Sequence, residues 1–369
     1  MASIEKRSDG RWRARWREFP GGPQSAKHFD RKVDAERHVA EVTTQLARGT
    51  YLTADQLRVT LGRYVVEHIE RQVWRERTRE LAVLALGRAR AHFGDDRPIS
   101  SIRRGDVEAW VVRLSSDMAA STVRVTFQHF RSMVRAAMAD GLVVVDPTLR
   151  VRLPAPPASE LVVPTPVQVR ALIAAAMPDF RAAIVLGAHV GLRAGEAQGL
   201  FVSDVDFLRR TVNVRRQLDG RSNRMALGEV KTKASLRSVP VPASVLEVLA
   251  EHVRVHGAGR DGVLLHRDGE YLSDNQFNWA WRGAQRRAGE PEGSIRFHWL
   301  RHAFASALIS AGCSVKAVAD AMGHQSPIVT LTTYASLWPG DEDRIRSAIE
   351  ASWSAEVRAP DQRGESARR

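Results

Sequence analysis

The stretch Arg296–Tyr334, RFHWLRHAFASALISAGCSVKAVADAMGHQSPIVTLTTY, gathers side chains that can hold and attack a phosphodiester. It carries a guanidinium at Arg301, imidazoles at His298 and His324, and a phenol at Tyr334. His298 and Arg301 are three apart and share a face on a helix. Upstream, Arg193 and Glu196 have the same spacing in GLRAGEAQGL, and Lys231 and Lys233 lie in EVKTKAS. Arg193 and Arg301 can each present a planar fork to non-bridging phosphate oxygens, where charge builds in the transition state. Tyr334 would be the nucleophile. A free phenol has a pKa of about 10, and two nearby guanidiniums favour its phenolate. The departing deoxyribose oxygen needs a proton, which either Lys231 or Lys233 could donate. His298 and His324 can hydrogen-bond the phosphate or move the phenolic proton. Glu196 reads as a supporting partner that orients Arg193 or a histidine. A phosphotyrosyl link conserves bond energy, so strands can rejoin without ATP. No Walker loop and no Cys/His or clustered Asp/Glu pattern is present, so neither cofactor nor metal is expected.

The elements that must position these groups are short. Phe304, Leu308 and Ile309 continue at helical spacing behind Arg301. Gly312 is a C-terminal stop, and Ser314 an N-cap for VKAVADAM. Gly323 then ends that helix and delivers His324, and Pro327 opens the helix that carries Tyr334. Earlier, Thr165 caps VQVRALIAAAM, and DFRAAIVLGAHV ends at Gly191. TVNVRRQL, EVKTK and LRSVPV carry β signals, with a lysine-tipped hairpin turn expected over 231–235 between the last two. A final helix, DEDRIRSAIEASWSA, bears Ile345, Ile349 and Trp353 on one stripe that needs a groove.

Three modules precede or surround this region. In residues 1–52, Asp9-Gly10 turns between two strands, and Trp12, Ala14 and Trp16 alternate with Arg11, Arg13, Arg15 and Arg17. A third strand, QSAKHF, precedes a helix capped by Asp30. A three-stranded sheet with a helix on its back can lay an arginine face in a DNA groove. Four like charges on one face argue for an anionic partner. Residues 53–58 form a hinge. Residues 59–145 are all helical and read as a bundle, with Arg113, Arg124, Arg131 and Arg135 on polar faces. Of these, Arg124 and Arg131 join the row of four as expected DNA contacts. Residues 146–164 are a proline-rich linker, 165–353 a catalytic domain with its tail helix, and 354–369 a tail too polar to fold.

Composition fits a polyanionic partner. Lys plus Arg total 55 against 42 acids, a net charge of +13, and the pI is near 10.7. No apolar run approaches the ~20 residues of a membrane helix, and MASIEKRSDG is no secretory signal. The lone Cys313 cannot form an internal disulfide. These features point to a cytoplasmic protein.

The constellation resembles the tyrosine recombinase, or phage integrase, family. Arg193 in GLRAGE resembles the family's first arginine and Glu196 its following acid, while Lys231 resembles the hairpin lysine. His298 and Arg301 resemble its H-x-x-R pair. His324 in MGH resembles the histidine of L-G-H, with Met322 for the usual leucine, and Tyr334 resembles the nucleophile ten residues on. The resemblance spans about residues 165–340. It implies a multidomain fold: a small α+β arm-type DNA-binding domain (1–52), an all-α core-binding bundle (59–145), and a mainly α catalytic domain with a small antiparallel sheet. It also implies site-specific cutting and rejoining of double-stranded DNA at attachment sites through a 3′-phosphotyrosine, by a homo-tetramer with the tail helix docked on a neighbour. A DNA-bending accessory protein and an excision factor are possible further partners. The arm-type module favours integration or excision of a phage or mobile element. Two other readings are a type IB topoisomerase-like enzyme, opposed by the N-terminal module and tail helix, and a non-catalytic DNA-binding protein, opposed by the intact residue set.

Overall fold

The computed structural model describes residues 2–19, 21–156, 161–221, 224–230, 233–338 and 342–357. The chain divides into two compact units, 1–159 and 160–369. The first unit opens with strands β1 (Ser3–Lys6), β2 (Trp12–Arg17) and β3 (Gln24–Phe29), an antiparallel sheet in that order. Helix α1 (Lys32–Ala47) covers one face, and Ala14, Trp16, Ala35 and Val42 form the core between them. The register sets Glu5 opposite Arg13, and its carboxylate accepts hydrogen bonds from both Arg13 and Arg15. Arg17 donates to the Gly22 carbonyl, and Arg11 lies 3.5 Å from Asp30. The arginine row therefore carries its own counter-anion, which weakens the expectation that repulsion alone demands an external one. Asp30 does not cap α1: the N-cap is Arg31, with no side-chain cap bond. The helix starts one residue later than expected, and Asp30 faces Arg11 instead.

The expected hinge contains a single helical turn, α2 (Ala54–Leu57), closed by a Thr53–Gln56 capping box. Four helices follow: α3 (Leu61–Glu70), α4 (Glu76–Phe93), α5 (Arg104–Asp117) and α6 (Ala120–Ala139). Their buried faces meet at Tyr64, Phe93, Trp110, Phe127, Phe130 and Met133. On α4 the inward face is Ala82, Ala85, Leu86, Ala89 and Phe93, while Leu84 is exposed. Small side chains there let α4 lie close to α6. Val151 and Leu153 of the proline-rich segment pack onto this core.

In the second unit α7 (Pro166–Ala175) is capped by Thr165 as expected, and α8 (Pro178–His189) is buried along nearly its whole length. The one-turn helix α9 (Ala194–Gln198) leads to β4 (Val205–Asp206), β5 (Thr211–Val214), β6 (Arg216–Arg221), β7 (Arg224–Glu229) and β8 (Arg237–Pro240). TVNVRRQL is not one strand. β5 joins β4 and β8 in a three-stranded sheet, whereas β6 pairs only with β7. Among the described residues β7 and β8 do not pair, and Lys231 and Thr232 of the turn expected over 231–235 lie outside them. Val212 and Val239 face each other and are buried, which selects β5 as the partner of β8. Lys233–Ser235 forms a 3-10 turn between the sheets. Lys231 lies outside the described residues, as does the side chain of Lys233.

Helix α10 (Ala243–His256), the hairpin β9 (His266–Arg267) and β10 (Glu270–Tyr271), and α11 (Asp274–Arg287) complete the frame. Then come α12 (Phe297–Ser310), α13 (Val315–Met322), α14 (Pro327–Tyr334) and α15 (Glu342–Val357). α15 reaches four residues into the segment expected to be unfolded, and 358–369 lie outside the described residues. The mix of small sheet domain, helical bundle and mainly α domain with small antiparallel sheets is the expected fold class. Among the described residues no helix is long and apolar enough to cross a membrane.

Candidate active site

Arg193 is the N-cap of α9. Its backbone N–H donates to Glu196 Oε2 at 3.0 Å and its Nη1 to Oε1 at 2.6 Å. Gly191 just before it turns the chain with φ +70°, and its carbonyl accepts from Arg301 Nη1 at 2.5 Å. Arg301 comes from α12, is 1% exposed, and bonds the Met322 carbonyl through Nη2. Two helix-end carbonyls thus hold this guanidinium in place. Burial, with Arg193 and Arg237 nearby, brings its pKa down to about 9, so it stays charged at neutral pH.

Glu196 sits beneath these cations, 2% exposed. It also accepts from Arg237 Nη2 at 2.9 Å, an arginine of β8 that donates from Nε to the Ala321 carbonyl. Burial alone would raise the carboxyl, but Arg237 and Arg193 hold it down to about 2. The cluster therefore sets three guanidiniums against one carboxylate.

His324 follows Gly323, which ends α13 in the left-handed region at φ 62°. Its Nδ1 lies 2.7 Å from the buried Thr330 hydroxyl. Burial and then Arg301, Arg193 and Arg237 push its pKa down to about 4. His298 opens onto solvent at the start of α12, and burial of part of its ring with Arg301 and Arg193 behind lowers its pKa. Tyr334 ends α14, 1% exposed. Its ring lies parallel to that of His324 at 6.5 Å, and its hydroxyl is 2.7 Å from His302 Nδ1. Burial pushes the phenol up to about 12, although Arg301 and Arg193 pull the other way. The guanidiniums favour the phenolate as expected, but desolvation is the larger effect and sets the net direction.

A cleft of about 270 Å³ opens beside the cluster, lined by Arg193, Glu196, Gln217, Ser235, His324 and Gln325 among others. Of the residues expected from sequence, Arg193, Glu196, His298, Arg301, His324 and Tyr334 are brought together. Arg11, Arg13, Arg15, Arg17, Arg124 and Arg131 lie in the other unit. Arg124 is exposed and donates to the Pro154 carbonyl at 3.3 Å, while Arg131 Nε is buried without a hydrogen-bond partner. Sequence reasoning missed His302 and Arg237. His302 had a signal, four residues after His298 and next to Arg301; Arg237 had none. Among the described residues no group of three or more His, Cys, Asp or Glu is placed to hold a metal ion.

Residues 164–339 match the phage integrase family. A putative prophage phiRv2 integrase of Mycobacterium tuberculosis is 23% identical over 335 residues, 88% of this chain and 88% of that protein. Tyrosine recombinase XerD of the same organism is 28% identical over 263 residues, 67% of this chain and 80% of that protein. A XerC-like tyrosine recombinase of Caldanaerobacter subterraneus is 28% identical, but the match covers only 43% of this chain and 46% of that protein. Among solved structures, the Tn1549 transposon integrase in complex with a circular intermediate DNA superposes with a TM-score of 0.69 at 19% identity, covering 79% of this chain and 99% of that one. A lambda integrase tetramer bound to a Holliday junction gives 0.58 at 17%, covering 89% and 94%. These likenesses establish the fold. Residues 164–339 thus carry a match to the phage integrase family, and the relatives that this chain resembles are integrases and tyrosine recombinases.

Proposed function

We propose that this chain is a site-specific DNA recombinase that cuts and rejoins strands through a 3′-phosphotyrosyl intermediate at Tyr334. The observation that carries this reading is the charge imbalance at the site: Arg193, Arg237 and Arg301 against Glu196 alone, beside a cleft and a buried phenol. Such a cluster is completed by an anion, and a phosphodiester supplies one. Arg193 faces the cleft and would contact the non-bridging oxygens, with Arg301 fixed behind it. Cations held in advance on carbonyls and Glu196 need no reorganisation when charge builds in the transition state. Attack by Tyr334 Oη forms the Oη–P bond and breaks the P–O5′ bond. A lysine at 231 or 233 would protonate the departing O5′. Rejoining runs the same steps backward from a 5′-hydroxyl.

The partner is double-stranded DNA. The reading is supported by the net charge of +13 and by relatives that are integrases, including structures of them on DNA. A homo-tetramer is supported by the lambda integrase tetramer on a Holliday junction and by α15, whose Ile345, Ile349 and Trp353 are each more than half exposed. That stripe fits a neighbouring subunit's groove. Residues 1–52 would bind arm-type DNA and 59–145 core DNA, in a chain of the bacterial cytosol that integrates or excises a mobile element with an accessory bending protein and an excision factor.

The test is a nicked duplex carrying the element's own junction, incubated with wild type and Tyr334→Phe. A denaturing gel should show a covalent protein–DNA band from wild type and none from Tyr334→Phe, with equal DNA binding. A band from the variant would place the nucleophile elsewhere.

A further inference from the structure

The phenolic proton must leave when Tyr334 attacks, and the sequence offers His298 and His324 as groups that could move it. Both are poorly placed. His324 has its Nδ1 on Thr330, and its ring lies parallel to the phenol rather than edge-on to the hydroxyl. His298 meets His302 edge to face at 5.2 Å, and among the described residues the Tyr334 hydroxyl bonds His302 rather than His298. We propose that His302 is the general base for Tyr334, taking the phenolic proton on Nδ1 as the Oη–P bond forms. This rests on the recombinase reading above.

The geometry is that of a nucleophile and its base. Oη and Nδ1 are 2.7 Å apart, within the span needed for direct proton transfer. The rings stand edge to face at 5.5 Å and 67°, a disposition compatible with an in-plane nitrogen meeting the hydroxyl. His302 is half-buried on α12, one residue after Arg301, so the base and the phosphate-holding cation are fixed by one helical turn. Burial, then His298 and Arg301, bring its pKa down to about 4, so at neutral pH the ring is unprotonated. With the phenol near 12, the hydroxyl donates and Nδ1 accepts, which assigns Nε2 as the protonated nitrogen. The other groups on elements packed against α12 are Tyr334 on α14, the mutually paired Lys316 and Asp320 on α13, and Asp179, Arg181 and His189 on α8.

The gap between phenol and imidazole means that the proton does not move ahead of attack. It moves as Oη bonds to phosphorus and loses basicity, while the bound phosphodiester's negative charge raises that of His302. Oη–P forms, P–O5′ breaks, the phenolic proton passes to Nδ1, and O5′ takes its proton from the lysine. In rejoining, the same Nδ1–H returns its proton to the leaving phenolate.

The test uses the full chain on the nicked junction duplex, comparing wild type, Tyr334→Phe, His302→Ala and His302→Asn after a gel shift confirms DNA binding. Asn places an amide near the Nδ1 position and keeps a hydrogen bond to Tyr334, but it cannot take up a proton. His302→Ala should form adduct at least ~100-fold more slowly. Added imidazole should restore part of the rate, more so for more basic imidazoles. His302→Asn should be equally slow and not restored. Adduct formation at the wild-type rate by either variant overturns the assignment; so does a slow His302→Ala that no imidazole restores beside a fast His302→Asn, which would make His302 a positioning residue. Should His302→Ala not fold, the near-isosteric His302→Asn decides alone. If wild type forms no adduct on DNA it binds, or Tyr334→Phe forms one, the recombinase reading falls and this assignment with it.

Discussion

Glu196 holds two arginines with one carboxylate, and that fixes what its loss would do. Glu196→Gln leaves Arg193 and the buried Arg237 without their anion, which should cost about 3–5 kcal/mol of stability at neutral pH. The carboxyl titrates near 4.5 when unfolded and about 2 when folded. Its contribution is therefore fully present above pH 4.5 and lost as pH falls towards 2, about 3 kcal/mol in all. His302 and His324 act in a higher window. Both drop from 6.5 to about 4 on folding, so stability is full above pH 6.5 and falls as pH descends to 4. Urea unfolding against pH should show the histidine loss in wild type and Glu196→Gln alike, with a larger loss below 4.5 in wild type, because Asp95, Asp106 and Glu251, whose carboxyls are also held below their usual range, remain in both. A wild-type-like acid limb in the variant would contradict the pairing. Most of these residues were legible in sequence, because three-residue spacings and helix caps are local. His302 was in plain view, but its bond to Tyr334 spans 32 residues and is set by how α14 packs. Arg237 looks in sequence like any outward strand arginine. The net direction of the Tyr334 shift was not legible for a related reason, since burial is a property of the packed chain.

At the scale of elements, the site depends on one tight turn between α8 and α9. Gly191 has φ +70°, and a Cβ there would come 2.4 Å from Phe304. Its carbonyl is also an anchor of Arg301. Gly191→Ala should therefore cost about 2–4 kcal/mol from backbone strain and overpacking, and slow adduct formation by moving that anchor. A thermal melt matching wild type would show that the turn tolerates a side chain. The Thr165 cap was readable, and the structure closes it as a capping box with Gln168, a pattern that Ser273 and Gln276 repeat. The sheets were not. An apolar–polar alternation runs on through Arg215, yet the chain changes partners there, from β8 to β7. Partner choice is decided by Val212 meeting Val239 across a fold that no local pattern records.

For the molecule as a whole, the excess positive charge predicts DNA affinity that falls steeply with salt. Glu5 neutralises part of that charge internally by binding Arg13 and Arg15. Glu5→Gln should free both, raise duplex affinity and steepen the slope of log K against log salt by about one to two. An unchanged slope in a filter-binding or anisotropy titration would show that this sheet does not touch DNA. The buried phenol has its own consequence for a protein whose net charge of +13 would favour contact with any duplex. Every chance landing of a chain with an open nucleophile would threaten a protein-linked lesion in the host chromosome. On the recombinase reading, a phenol only 1% exposed would be shielded from the phosphates of a duplex met by chance, which would spare that duplex a protein-linked break.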